Sequence, residues 1–303
     1  MTSTAFLLKL GNGIGWLIVS TGGTKSWVEK FARTLGLETD EQYQHSKWPK
    51  IIFFQKASGK DRLLDSVNLI DLEIEEYLPR SGWKAHNFPS LRFWHHRKVS
   101  DIICEIGNEA NHELDIIRMW TSLYSIYLQL KDTGGLPLHG ALVERDGRGV
   151  LLAGPGGSGK STMCGRLPHP WSILSDDQAL VVFDDRRGYL AHPIPTWSSY
   201  LAKRGLLTCN VKHYVSLAAI FFVEKARSDQ LIAMGQGHAA VFINHSSTDV
   251  CRPIWTMAGV QEKVALKKRI FHNSCELAKT IPAHILRTSL EGRFWEGIER
   301  VIF

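Results

Sequence analysis

The sequence predicts an α/β chain in two parts, a small mostly-β N-terminal domain over residues 1–110 and a larger α/β domain over 111–303. Three observations predict it. A complete G-x-x-x-x-G-K-[ST] pattern occupies Gly154-Pro155-Gly156-Gly157-Ser158-Gly159-Lys160-Ser161, between an apolar strand-like run and a helix-competent one. Two adjacent carboxylates, Asp176 and Asp177, lie in the next strand-like run, and Asp176 follows Lys160 by only sixteen positions. Before residue 110, short apolar or alternating stretches are separated by turn formers, as in a small β-rich unit with one or two helices.

In chain order, Phe6–Leu10 and Trp16–Val19 read as strands joined by a hairpin turn at Gly11-Asn12-Gly13-Ile14-Gly15. That glycine cluster fails the dinucleotide-binding pattern, because Trp16 stands where the last glycine belongs. Strand-like stretches follow at Ile51–Phe54, Leu91–Trp94 and Ile102–Ile106, broken by turns such as Gly22-Gly23 and Pro89-Ser90. Leu114–Leu130 reads as a buried helix between the two halves. Asp115 near its start and Lys131 near its end suit the helix dipole, and Gly134-Gly135 stop it. With Asp115 and Arg118 inside it, the segment falls short of the ~20 apolar residues that a membrane span requires. A strand beginning at Leu138, the strand Gly149–Ala153, the glycine loop and a helix of about two turns ended by Pro168 and Pro170 come next. The run Ile173–Phe183 reads as a strand, Leu217–Val223 and Val241–Asn244 as further sheet, and Gln261–Lys268 and Gly292–Val301 as capping helices.

The chemistry follows from residue types and order. Gly154, Gly156, Gly157 and Gly159 let the backbone of Ser158 and its neighbours curl so that N–H groups point at phosphate oxygens. Lys160 reaches the outer phosphates, Ser161 offers a hydroxyl to Mg2+, and Thr162 completes the cofactor-binding set. A bland turn ending in Lys-Ser has no reason to carry all four fixed positions after a buried-looking strand. Neighbouring side chains on an extended strand point to opposite sides, so Asp176 and Asp177 divide their tasks unless the backbone turns between them.

Composition bounds the rest. A chain of 303 residues, 44% hydrophobic and 22% charged, suffices for about two folded domains with sizeable cores. The net charge of +6 favours acidic partners, yet no basic run is long enough for a nucleic-acid arm. The cluster His95-His96-Arg97-Lys98 reads as a solvated hairpin face, with Trp94 leaving a peptide-docking surface open. The opening Met1-Thr2-Ser3-Thr4 lacks a secretory pattern, and five scattered cysteines without metal spacing predict reduced thiols and a cytoplasmic protein with no membrane contact.

Three segments together carry a resemblance: Leu138-His139-Gly140-Ala141-Leu142-Val143, the loop at 154–161, and Leu174-Ser175-Asp176-Asp177. In this order and spacing they resemble the HPr kinase/phosphorylase superfamily, especially its HPr-kinase-like relatives among peptide-tailoring enzymes, and the same core resembles phosphoenolpyruvate carboxykinases. The likeness covers residues 136–182, and more loosely His192–Trp197 and Tyr200–Gly205. It implies an ATP-dependent kinase acting with Mg2+ on a serine hydroxyl of a small protein or ribosomally made peptide, which the N-terminal domain helps to bring in. Asp176 is then the proton acceptor, Asp177 joins Ser161 at the metal, and His139 lies near the phosphates or the acid pair. Without the resemblance, His139 reads as a core-edge histidine satisfied by backbone. Arg204 reads equally as a cation on the transferring phosphoryl or as a solvated helix-end arginine, and Arg252 is a weaker candidate of the same kind. Ala202-Lys203 precedes Arg204-Gly205 where the bifunctional members carry an acidic residue, so reverse phosphorylase activity is not implied. Two other readings stay open, a small-molecule kinase and a nucleotide-gated peptide-binding module, as do ATP against GTP and a homo-oligomer.

Overall fold

The computed structural model of the chain describes residues 4–21, 23–39, 47–55, 78–79, 81–107, 111–197 and 209–303. It is a mixed α/β structure with two sheets and, among the described residues, six helices. Contacts divide it into two units, Met1–Lys9 with Gly15–Gln129, and Leu10–Ile14 with Leu130–Phe303. The division falls at 129/130, so the helix expected to lie past a boundary at 110 groups with the first unit.

The first unit holds a six-stranded sheet in the order β1-β2-β3-β6-β5-β4. Its strands are β1 (Ala5–Lys9), β2 (Gly15–Ser20), β3 (Lys50–Gln55), β4 (Trp83–Asn87), β5 (Leu91–His96) and β6 (Ile102–Ile106). β1 and β2 form the expected hairpin, and the turn needs Gly13, whose φ of 83° suits a residue without a side chain. β2, β3 and β6 run parallel, while β6, β5 and β4 alternate in direction. Helix α1 (Lys25–Thr34) buries Trp27 and Phe31, whose rings meet Phe53 of β3 at 5.0 and 6.0 Å. Helix α2 (His112–Leu130) buries Met119, Leu123, Tyr124 and Tyr127. Its one deeply buried cation, Arg118, is held by the Ser90 carbonyl at 3.2 Å and by Asp115 at 3.5 Å, which offsets the cost of taking a charge out of water.

The second unit is built on an eight-stranded sheet of order β11-β10-β7-β8-β12-β14-β13, with β9 paired to β7. These are β7 (Leu136–Arg145), β8 (Arg148–Ala153), β9 (Ser172–Ser175), β10 (Gln178–Asp184), β11 (Gly188–Ile194), β12 (Val215–Lys225), β13 (Gln230–Ala233) and β14 (Ala283–Thr288). β8, β12 and β14 run parallel. Strands this buried read as continuous apolar runs, as Val150–Ala153 and Ile220–Val223 do. One layer of the core joins Val143, Val150, Leu152, Met163, Trp171, Phe221 and Leu286 to Phe294, Ile298 and Ile302 of the last helix, α6 (Phe294–Ile302).

Two expectations change. The apolar run Val241–Asn244 is not sheet but part of α4 (Gln236–Met257), which packs on β7 and on α5 (Val260–Thr280). The helical period decides it: Ala239, Ala240, Ile243, Ser247, Val250, Cys251 and Ile254 are buried at steps of three and four, and a four-residue window cannot reveal that stripe. The run Ile173–Phe183 is not one strand either, because it bends at Asp176-Asp177 between β9 and β10. Among the described residues no helix is long and apolar enough to cross a membrane.

Candidate functional site

The loop after β8 has a backbone that its glycines make accessible. Gly154, Gly157 and Gly159 adopt φ of 149°, 78° and 106°, where side chains with a Cβ are strained. At Gly154 a Cβ would also meet Ser158 Oγ at 2.9 Å and the Val223 carbonyl at 3.3 Å, whereas Gly156 and Gly157 face open space. Helix α3 (Lys160–Cys164) starts directly from the loop with Met163 N–H donating to Gly159 O at 2.9 Å. Five residues make a small dipole, so the loop N–H groups and Lys160 carry most of this end's positive character. Lys160 is 7% exposed and folds back, donating to the Gly154 carbonyl at 2.7 Å and the Pro155 carbonyl at 3.1 Å. Ser161 and Thr162 stand exposed on the first turn of α3.

Register brings the other segments to this loop. β7 lies between β8 and β10, pairing Gly140 with Ala153 on one side and His139 with Gln178 on the other. The loop, the His-Gly pair and the acid pair therefore end at one level on three neighbouring strands. Gly140 N–H donates to the Asp177 carbonyl at 2.9 Å, which carries the pairing across the bend. The glycine of the His-Gly pair has a structural cause: a Cβ there would lie 2.8 Å from the Leu152 carbonyl.

The side chains form a compact electrostatic group. His139 Nε2 is 3.5 Å from Asp177 Oδ1, with the two side chains 26% and 31% exposed. Burial and the Lys160 charge lower the proton affinity of His139, while Asp177 and Asp249 act in the opposite sense. Burial raises the Asp177 carboxyl, with the neighbouring Asp176 charge adding to the rise and His139 and Lys160 opposing it. Lys160 is lowered by burial and held up by Asp177, Cys164 and Asp176. Both acids thus act on Lys160, because the chain bends between them, yet their nearest partners differ. Asp177 faces His139, whereas Asp176 accepts a hydrogen bond from the Thr196 hydroxyl.

Three contributors escaped the sequence reading. Ser246 of α4 clamps the main chain of His139, accepting from its N–H at 2.9 Å and donating to its carbonyl at 3.1 Å. Asp249, one turn further along α4, adds a negative charge toward His139 and pairs with Arg252 at 2.7 Å. Thr196 lies in the His192–Trp197 segment of the resemblance, where nothing in the sequence singles out its hydroxyl. All three depend on long-range packing, which no local pattern encodes. Arg252 is a surface partner of Asp249, its side chain 71% exposed, and Arg204 lies outside the described residues.

Ser161 and Asp177 would offer a cation a hydroxyl and a carboxylate oxygen, the donor type of a hard ion such as Mg2+, which is commonly held by one or two such groups together with phosphate oxygens. Fold and site together define a two-sheet α/β protein whose glycine-rich, lysine-bearing loop meets a histidine and two acids at one end of its larger sheet. The chain belongs to the family of SynChlorMet cassette protein ScmC, whose model matches residues 102–303, about two thirds of its length. No curated protein matches it.

Proposed function

We propose that this protein is an ATP-dependent kinase with an HPr-kinase-like P-loop core, transferring the γ-phosphoryl group to a serine hydroxyl of a peptide or small protein. The observation that carries the reading is the register of β8, β7 and β10, which aligns the loop, His139 and the acid pair at one level. A phosphate-binding turn needs one acid to help hold its metal, and the second carboxylate is then left for the proton of an acceptor hydroxyl.

In this reading Lys160 releases its own loop carbonyls and bonds the β- and γ-phosphates, aided by the loop N–H groups. Ser161 and Asp177 hold Mg2+, which when bound supplies charge neutralisation on the phosphate oxygens. Asp176, oriented by Thr196, accepts the proton from the acceptor serine as its Oγ bonds to the γ-phosphorus. The bond from that phosphorus to the bridging oxygen breaks, and ADP leaves. His139, with its proton affinity lowered, stays neutral near pH 7 and adds no second positive charge to attract the carboxylates away from the acceptor.

The family takes its name from a cassette protein, and the resemblance to peptide-tailoring kinases makes short peptides encoded beside the gene the acceptors to test first. Purified protein, γ-labelled ATP, Mg2+ and each peptide should give a labelled phosphoserine. Tight ATP binding with no label on any peptide would contradict the peptide-kinase reading and favour a free metabolite as acceptor or a binding role.

A further inference from the structure

A cleft that shares the glycine loop as one side has its other side formed by residues with no role so far. β12 pairs Phe222 with Ala153 and continues to Lys225, past the point where β8 ends and the loop begins. The continuation forms a wall facing loop residues 154–158, and α4 closes the space with Phe242. The volume is about 500 Å3, within the usual range for small-molecule sites. Its aromatic side is ordered: Phe242 sits edge-to-face on Phe222 at 5.0 Å, and His238 meets Phe242 at 4.8 Å and 90°. Phe242 is only half-buried, which leaves part of its ring for a ligand.

The rim carries a lysine beside a carboxylate that is already paired. Lys225 is exposed, and its Cε comes within 3.9 Å of where a Cβ on Gly159 would stand, so its ammonium can reach the mouth of the loop. Glu224 beside it is occupied by Arg287 at 3.1 Å, which keeps its carboxylate from repelling an anion. A cleft with Phe242 on one side that opens onto the glycine loop, with the exposed Lys225 at the junction, suits a nucleoside phosphate.

We propose that this cleft takes the nucleoside of the bound nucleotide, with the base against Phe242 and Lys225 as a second cation on the phosphate chain. The proposal rests on the nucleotide-binding reading above and adds to it a statement about base selectivity. Apolar walls exclude water from either purine alike but cannot read exocyclic groups, so ATP and GTP should bind within about tenfold of each other.

Calorimetric titration of the full chain with ATP, GTP and inorganic tripolyphosphate tests this. Phe242→Ala should weaken both nucleotides by about tenfold and leave tripolyphosphate unchanged, since only the nucleotides own a base to stack. Phe242→Leu keeps an apolar side chain of similar volume against Phe222 and should show the same selective loss, which separates lost stacking from a disturbed fold. Lys225→Ala should weaken all three ligands. If Lys160→Ala abolishes ATP binding while both Phe242 variants leave it intact, the phosphate site stands and the cleft is not the nucleoside site. If neither ATP nor tripolyphosphate binds the wild-type chain, the nucleotide reading falls and this proposal with it.

Discussion

His139 and His192 stand on strands of the same sheet, and burial lowers the proton affinity of both, yet their surroundings differ. His192, on β11, is fully buried and satisfied by backbone: its Nε2 accepts from Gly11 N–H at 3.1 Å, so its Nδ1 carries the proton and donates to the Val211 carbonyl at 2.7 Å. Both ring nitrogens are used and the tautomer is fixed. His139, on β7, is partly exposed, has its main chain held by Ser246, and turns its ring toward a lysine and two carboxylates. A histidine whose valences are filled by main chain is part of the fold, whereas His139 stands among charges of both signs, the setting in which the proposed kinase reading uses it.

The largest test of this contrast is Lys160→Ala. Removing two charge-assisted phosphate bonds should cost about 1,000-fold in nucleotide affinity by calorimetry. In the same variant, titration of the histidine ring signals by NMR should show His139 moving up, because the Lys160 charge that lowers it is gone, while His192 stays where it was. Equal movement of both would erase the distinction.

His192→Gln is next in size and acts on stability. The folded-state pKa of His192 is depressed from 6.5 to about 4, so the unfolded chain binds the proton first as pH falls. The stabilising contribution is therefore fully present above pH 6.5 and lost progressively toward pH 4, about 3 kcal/mol in all. Urea unfolding of the wild type at pH 7.5 and pH 5 should show most of that loss, and His192→Gln should flatten it without changing nucleotide affinity. Thr196→Val is the smallest test: losing one hydrogen bond to Asp176 should lower turnover about five- to tenfold, visible in the rate and not in nucleotide binding.

What could be read in advance follows from locality. The loop was legible because its glycines are needed where they stand, three of them at positive φ, and Lys160 follows at a fixed offset. The hairpin, the β-rich first unit and the long helix over 112–130 were legible from turns and periodicity. The bend at Asp176-Asp177 was not, because the residues around it are strand formers and the interruption is seen only beside β7. Nor were Ser246 and Asp249, which come from a helix whose central residues look like strand. Thr196 was hidden for another reason: a hydroxyl gains its role only from the carboxylate that packing brings to it.

The central claim is that the acid pair serves a chemical step and not merely ligand holding, and Asp176→Asn tests it most directly when ATP affinity and the rate of phosphoserine formation are measured on the same preparation. The amide keeps the shape and the Thr196 contact site but cannot take up the serine proton, so the rate should fall about 1,000-fold while the ATP dissociation constant changes by no more than about threefold. A variant that still phosphorylates its peptide at the wild-type rate, or one that loses ATP affinity in step with turnover, would contradict the assignment of Asp176 as the base.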